Sequence, residues 1–245
     1  MLVEQIQDTD LSCEERGSDS PLIDKVWRSY NEDTTPFTSI AQYLWGMVIT
    51  KQHGKMTLTI RGPETVSSPA VSPPDAEFVG VLFKVGTLMP QFPARKLMNR
   101  ADVTLPTGTG NTFWLDSTTW QFPDYDNMEV FVRRLVHEEL LQFDPVVADT
   151  LQGKPVDLSL RTTQRRFKDA TGITFSLVEQ IKRARYATTL LKQGTPVLDV
   201  VYEAGYSDQP HLIRSLKRFI GLTPQRVATS DREETLSFLF NTPPD

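Results

Sequence analysis

The sequence predicts an α+β chain, with a compact β-rich N-terminal domain followed by an all-α domain in which two helix-turn-helix units are joined by a linker helix. Three observations predict it. Short apolar runs punctuated by turn residues occupy Pro21 to about Pro123, the pattern of a small curled sheet or barrel. From about Asp144 the apolar residues recur at helical spacing instead. Within that second part, a helix closed by glycine stands beside a basic-faced helix, and the basic-faced helix occurs twice, about fifty residues apart.

Along the chain, Met1 to Ser20 is acidic and polar with little periodicity, and residues 1–20 are expected to be a disordered tail. Residues 21–143 form the β-rich domain. Tyr43 to Ile49, the turn His53-Gly54-Lys55, and the alternating Met56 to Ile60 read as a hairpin closed by Gly62-Pro63. Val66 to Ala76, with three prolines and three serines, reads as a loop. Phe78 to Val85 is short enough for a buried strand, Ala94 to Met98 suits one helical turn, and Thr112 to Leu115 suits a further strand. Asn127 to Leu141 is expected to be a helix that turns Met128, Phe131, Val132, Leu135 and Leu140 inward. The four tryptophans, Trp27, Trp45, Trp114 and Trp120, all lie in this part. They suit a core, and lining of an effector pocket is the alternative.

Residues 144–230 form the helical domain. A short helix over Pro145 to Gln152 is followed by Gly153, Lys154 and Pro155, so the first unit begins compressed. In Leu158 to Gly172, Ser159 suits an N-cap, Thr163, Phe167 and Ala170 form the inward stripe, and Gly172 ends the helix. Its other face carries Arg161, Gln164, Arg165 and Lys168 at i, i+3, i+4 and i+7. Phe175 to Lys192 is the linker helix, with Ser176 and Glu179 as a capping box and Leu177, Ile181, Ala184 and Leu191 inward. Val197, Val200, Val201 and Ala204 then mark a helix ended by Gly205. Asp208 opens another that buries Leu212, Leu216 and Phe219 and presents His211, Arg214 and Arg218. Pro210 falls in the first turn, where a missing N–H costs little. The segment 231–245 is a C-terminal tail whose apolar run Leu236 to Phe240 is expected to dock onto a domain or partner.

These faces carry chemistry suited to nucleic acid. Arginine pairs bidentately with guanine and glutamine with adenine in the major groove, whereas lysine holds phosphate without reading sequence. The summed charge of −5 conceals a division: residues 1–144 carry 12 Lys+Arg against 20 Asp+Glu, residues 145–230 carry 13 against 7, and residues 231–245 carry 1 against 4. The positive charge is thus confined to the proposed reader, as an electrostatic footprint requires.

Asp144 to Ala228 resembles the tandem helix-turn-helix domain of AraC/XylS-type transcription regulators, over about a third of the chain. The segments LSLRTTQRRFKDATG, RARYATTLL and DVVYEAGYSDQPHLIRSLKRFIGLTP carry the resemblance, in the family's order and spacing. It implies base-reading positions at Arg161, Gln164 and Arg165 in the first recognition helix and at Gln209, His211 and Arg214 in the second. Lys168 and Arg218 are expected to contact phosphate. Pro210 stands where the family often has a small polar residue, and Leu216 replaces the usual Phe. The resemblance also implies that the Asn127–Leu141 helix links the two domains and carries dimer contacts; closing the N-terminal core is the equal alternative.

The expected partner is therefore double-stranded DNA, with a small-molecule effector, an RNA polymerase contact and a homodimer left open. No catalytic residue, cofactor or metal is assigned. His53, His137 and His211 lack ligand spacing, and Asp116, Ser117, Thr118, Asp124 and Asp126 suit turns and caps. Cys13, the single cysteine, excludes an internal disulfide and is expected to be inert. No membrane span or signal segment is visible, so a cytoplasmic protein is expected. Two competing functions remain: an enzyme fused to a DNA reader, and a scaffold whose first helix-turn-helix is degenerate.

Overall fold

The computed structural model describes residues 12–229. Its N-terminal part is built from β1 (Ser12–Arg16), β2 (Ile23–Asn31), β3 (Thr35–Ser39), β4 (Gly46–Gln52), β5 (Lys55–Arg61), β6 (Ser68–Ser72), β7 (Ala76–Phe83), β8 (Thr87–Leu88), a 3-10 turn (Ala94–Lys96), β9 (Val103–Thr104), the hairpin β10 (Thr112–Leu115) and β11 (Thr118–Gln121), α1 (Met128–His137) and β12 (Gln142–Phe143). Six strands form one antiparallel sheet in the order β1-β2-β7-β4-β5-β9. One face of the sheet presents Val26, Met47, Ile49, Leu58, Ile60, Val81 and Phe83 to α1 and the β10–β11 hairpin. Trp120 meets Phe131 of α1 edge-to-face at 5.9 Å. On the next strand Trp27 lies directly opposite Gly80, where a Cβ would fall 2.3 Å from the indole, so glycine is what admits the ring.

Trp27, Trp45 and Trp120 are buried in the N-terminal part and Trp114 is exposed. The hairpin around Gly54, the strand ending at Phe83, the one-turn helix and the helix after Asn127 appear where the sequence pattern predicts them. Asp116 and Ser117 adopt positive φ (50° and 63°) in the β10–β11 turn, and Asp124 Oδ1 accepts from the amides of Asp126 and Asn127, as expected of turn and cap residues.

Three expectations are corrected. The polar stretch assigned to a tail is strand from Ser12 onward, because its charges are paired: Arg16 reaches Glu129 of α1 and the Tyr125 carbonyl, and Glu15 reaches Lys25 at 2.9 Å. Val66 to Ala76 is not simply a loop, since β6 pairs with β3 in a separate two-stranded ribbon. Pro36 and Pro69 are tolerated there because each strand has only one neighbour. The linker helix is capped by Thr174, whose hydroxyl accepts from the Leu177 amide, rather than by Ser176 and Glu179. The apolar run Leu236 to Phe240, with the rest of 231–245, and residues 1–11 of the expected tail lie outside the described residues.

The helical part comprises α2 (Pro145–Leu151), α3 (Leu160–Thr171), α4 (Phe175–Lys192), α5 (Val197–Glu203), α6 (Gln209–Phe219) and α7 (Pro224–Thr229). It has two small cores. Val147, Phe167, Ile173 and Val178 pack between α2, α3 and α4. Ala184, Ala187, Val200, Leu212, Leu216, Phe219 and Val227 pack between α4, α5, α6 and α7, the alanines bringing those backbones close to α4. Neither core is closed by helices alone: Ile40 and Ala41 belong to the second, and Tyr43 packs against both.

Candidate nucleic-acid interface

The second unit is the simpler one. Its two helices are joined by Ala204 to Asp208, and Gly205 takes φ +68°, a conformation costly for a residue with a Cβ. Asp208 caps α6 by accepting from the His211 amide at 2.7 Å. One contact from α4 and one within the motif hold the turn. Arg183 of α4 donates to the Gly205 carbonyl at 3.3 Å, and the Tyr206 hydroxyl lies 2.9 Å from Ser215 Oγ. Leu212, Leu216 and Phe219 are buried, leaving Gln209, Arg214 and Arg218 exposed on the opposite side of α6. His211 is placed differently from its neighbours. Its ring is half-buried, stands edge-on to Tyr206 at 5.1 Å, and has Nδ1 3.1 Å from Ser207 Oγ.

In the first unit Ser159 accepts from the Thr162 amide to begin α3, and Gly172 ends it at φ +80°. Thr163 and Phe167 face inward, while Arg161, Gln164, Arg165 and Lys168 are all exposed. The helix before it is the seven-residue α2, and eight residues, Gln152 to Ser159, separate the two. The corresponding turn in the second unit has five, Ala204 to Asp208, so the compression seen in the sequence appears as a short helix and a long connection. Arg166 compensates in part: its Nε donates to Asp144 Oδ2 at 2.6 Å, while Asp144 Oδ1 caps α2 through the amides of Val146 and Val147. One carboxylate thus ties α3 to the start of α2 and holds the Arg166 guanidinium above its usual pKa. The local sequence pattern carries no signal for the Arg166 and Arg183 contacts, which depend on residues 22 positions away in each case.

Both α3 and α6 end against the β-rich part. The carbonyl of Phe219 accepts from the Ala41 amide at 2.7 Å and that of Arg218 from the Ser67 amide at 2.8 Å. Gly221, just beyond α6, lies so close that a Cβ would meet Thr38 Cγ2 at 2.9 Å. Gly172, just beyond α3, would meet Arg95 N at 3.0 Å. Two of the C-terminal carbonyls that a helix leaves without internal partners are thus satisfied, for α6, by amides of the β-rich part. Arg161, Gln164, Arg165, Gln209 and Arg214 lie in the N-terminal halves of α3 and α6, at the other end of each helix from these attachments, and are exposed. Lys168 and Arg218 lie in the last turns, and the Arg218 guanidinium rests 4.8 Å from the Phe219 ring.

Among the described residues no group of three or more His, Cys, Asp or Glu side chains could hold a metal ion, and no helix is long and apolar enough to cross a membrane. Residues 154–230 match a family model described as a helix-turn-helix domain. The match takes in α3 to α7 and begins after α2, so the shortened helix lies outside it. No curated protein and no solved structure matches the chain.

Proposed function

We propose that this chain, a DNA-binding transcription regulator whose C-terminal region is an AraC/XylS-type helix-turn-helix domain, reads a bipartite site by inserting α3 and α6 of one protomer into successive major grooves. What supports this reading is the pair of exposed faces bearing Arg161, Gln164 and Arg165 on α3, and Gln209 and Arg214 on α6, on helices joined by α4. Successive grooves on one side of a duplex recur at ~34 Å, so the two parts of the site are expected about one helical turn apart. His211 orients the α6 turn and approaches the backbone more readily than a base, because its Nδ1 is engaged by Ser207. Lys168 and Arg218 hold phosphate.

The β-rich domain acts as the regulatory element of this reading. The bonds from Ala41 and Ser67 to the end of α6, together with the seat of Gly172 on the 3-10 turn, give any rearrangement of that domain a mechanical route to both recognition helices. No catalytic step is assigned. Burial, reinforced by Glu15 and opposed by Lys25, pushes the Cys13 thiol up to about 11, so it is a poor nucleophile at neutral pH. The experiment is selection from a random duplex library with full-length protein, beside Arg165→Ala and Arg214→Ala. Enrichment of a two-part motif, each variant relaxing a different part, is expected; equal enrichment by all three proteins would falsify the assignment. Sedimentation of the complex reads whether one protomer or two engage.

A further inference from the structure

A cleft of about 830 Å3 lies between the β-rich part and the helical part. Asp24, Lys25 and Lys84 line its one side, and Lys154, Lys182 and Arg185 line the other. We propose that this cleft binds a small anion carrying two or more negative charges, as phosphate or carboxylate, which bridges the two domains. The consequence for DNA rests on the regulatory reading above; the binding itself does not.

Charge points to the ligand class. Five cations face the cleft beside the carboxylates of Asp24 and Asp149; Asp149 is 3.4 Å from Lys154, Glu15 pairs with Lys25 at 2.9 Å from outside the lining, and Glu179 stands 3.8 Å from Lys182. Two of the cations are buried in its wall. Arg185 is 7% exposed, and the Lys25 side chain is 6% exposed. Burial lowers the pKa of the Arg185 guanidinium, against the opposing influence of Tyr43, Asp24 and Glu15. Desolvated cations gathered at the wall of an open cleft are stabilised by a bound anion, and such charges attract one over distance. The volume falls in the range of small-molecule sites. Position supplies the rest: Pro145, Ala148 and Leu151 of α2 and Lys182 and Arg185 of α4 form one wall, so an occupant touches both the first helix of the first unit and the helix that spaces the two units.

The test is isothermal titration of the full chain with pyrophosphate and with citrate, which separate phosphate from carboxylate, and with glucose as the neutral control. One or both anions are expected to bind saturably at one site, with Kd on the order of 1 mM or tighter, and glucose not at all. Lys182→Gln and Lys84→Gln, at positions exposed enough to preserve the fold as checked by circular dichroism, are expected to weaken binding about tenfold each. Arg165→Gln is expected to leave it unchanged. Binding by neither anion overturns the proposal, as does binding lost in Arg165→Gln and kept in the two lysine variants, which would place the anion on the DNA face. Operator affinity measured with and without the anion separates the two readings. Anion binding with unmoved operator affinity keeps the site and removes the regulatory role, whereas normal operator binding without anion binding removes the site alone.

Discussion

The amide of Ala41, in the segment between β3 and β4, donates to the carbonyl of Phe219, the last residue of α6, at 2.7 Å. Ile40 beside it is buried among Leu212, Leu216 and the other residues of the second helical core. The core of the DNA-reading half is therefore completed by residues about 180 positions earlier in the chain.

Ile40→Ala is expected to destabilise the helical half by about 2–5 kcal/mol, the usual cost of truncating a buried isoleucine. Chemical denaturation followed by helical circular dichroism and by tryptophan fluorescence checks it. Because all four tryptophans lie in the β-rich half, coincident shifts in both signals would show that the halves unfold together.

Arg165→Ala and Arg214→Ala are each expected to lose about 1–3 kcal/mol of discrimination at one part of the site. Lys168→Ala and Arg218→Ala should instead weaken binding to all sequences and reduce the dependence of log K on log salt by ~0.9 per lost phosphate contact. Titration of the selected duplex across a salt series distinguishes the two classes.

Removal of the cap in Asp208→Ala is expected to cost about 1 kcal/mol of stability, since the carboxylate satisfies the His211 amide and the helix N-terminus favours negative charge. Asp208→Asn keeps an acceptor there and is expected to retain most of it. Denaturant midpoints at constant slope decide the matter.

Arg16 donates to the Glu129 carboxylate and holds its pKa below the ordinary 4.5. A carboxyl whose folded pKa is depressed adds stability that is present above its ordinary pKa and lost as pH falls through the lower, folded value. Wild type is expected to lose stability as pH drops below 4.5, and Glu129→Gln to show a flatter acid limb, both read by thermal unfolding across pH.

For Cys13 the sign is reversed. The folded thiol titrates at about 11 rather than 9.0, so its contribution to stability is full below 9.0 and declines as pH rises through about 11. Alkylation by iodoacetamide should reach half its maximal rate near that higher pH. A rate half-maximal near the ordinary thiol value would show that the burial around β1 is absent in solution.

Local pattern carried the helical half because each of its signals is local. Ser159 and Asp208 as caps, Gly172 and Gly205 as terminators, and the stripes Thr163-Phe167 and Leu212-Leu216-Phe219 all act within one or two helical turns, and the structure has each where periodicity puts it. The paired hairpin around Gly54 and the turn at Asp116 and Ser117 were legible for the same reason. β1 and β6 were not, because their stability comes from partners far along the chain: Arg16 with Glu129, 113 positions away, and a Pro-containing strand tolerated only because its ribbon stands apart from the main sheet. By itself the sequence determined the fold class, the helices α3 and α6 and the residues on their outer faces, since periods, caps and charge are properties of short segments. Only the tertiary structure decided that Ala41 and Ser67 bind the end of α6, that His211 is committed to Ser207 and Tyr206, and that five cations converge on one cleft. Contacts between distant segments are chosen by which surfaces fit together on collapse, and that choice leaves no mark in the spacing of neighbouring residues.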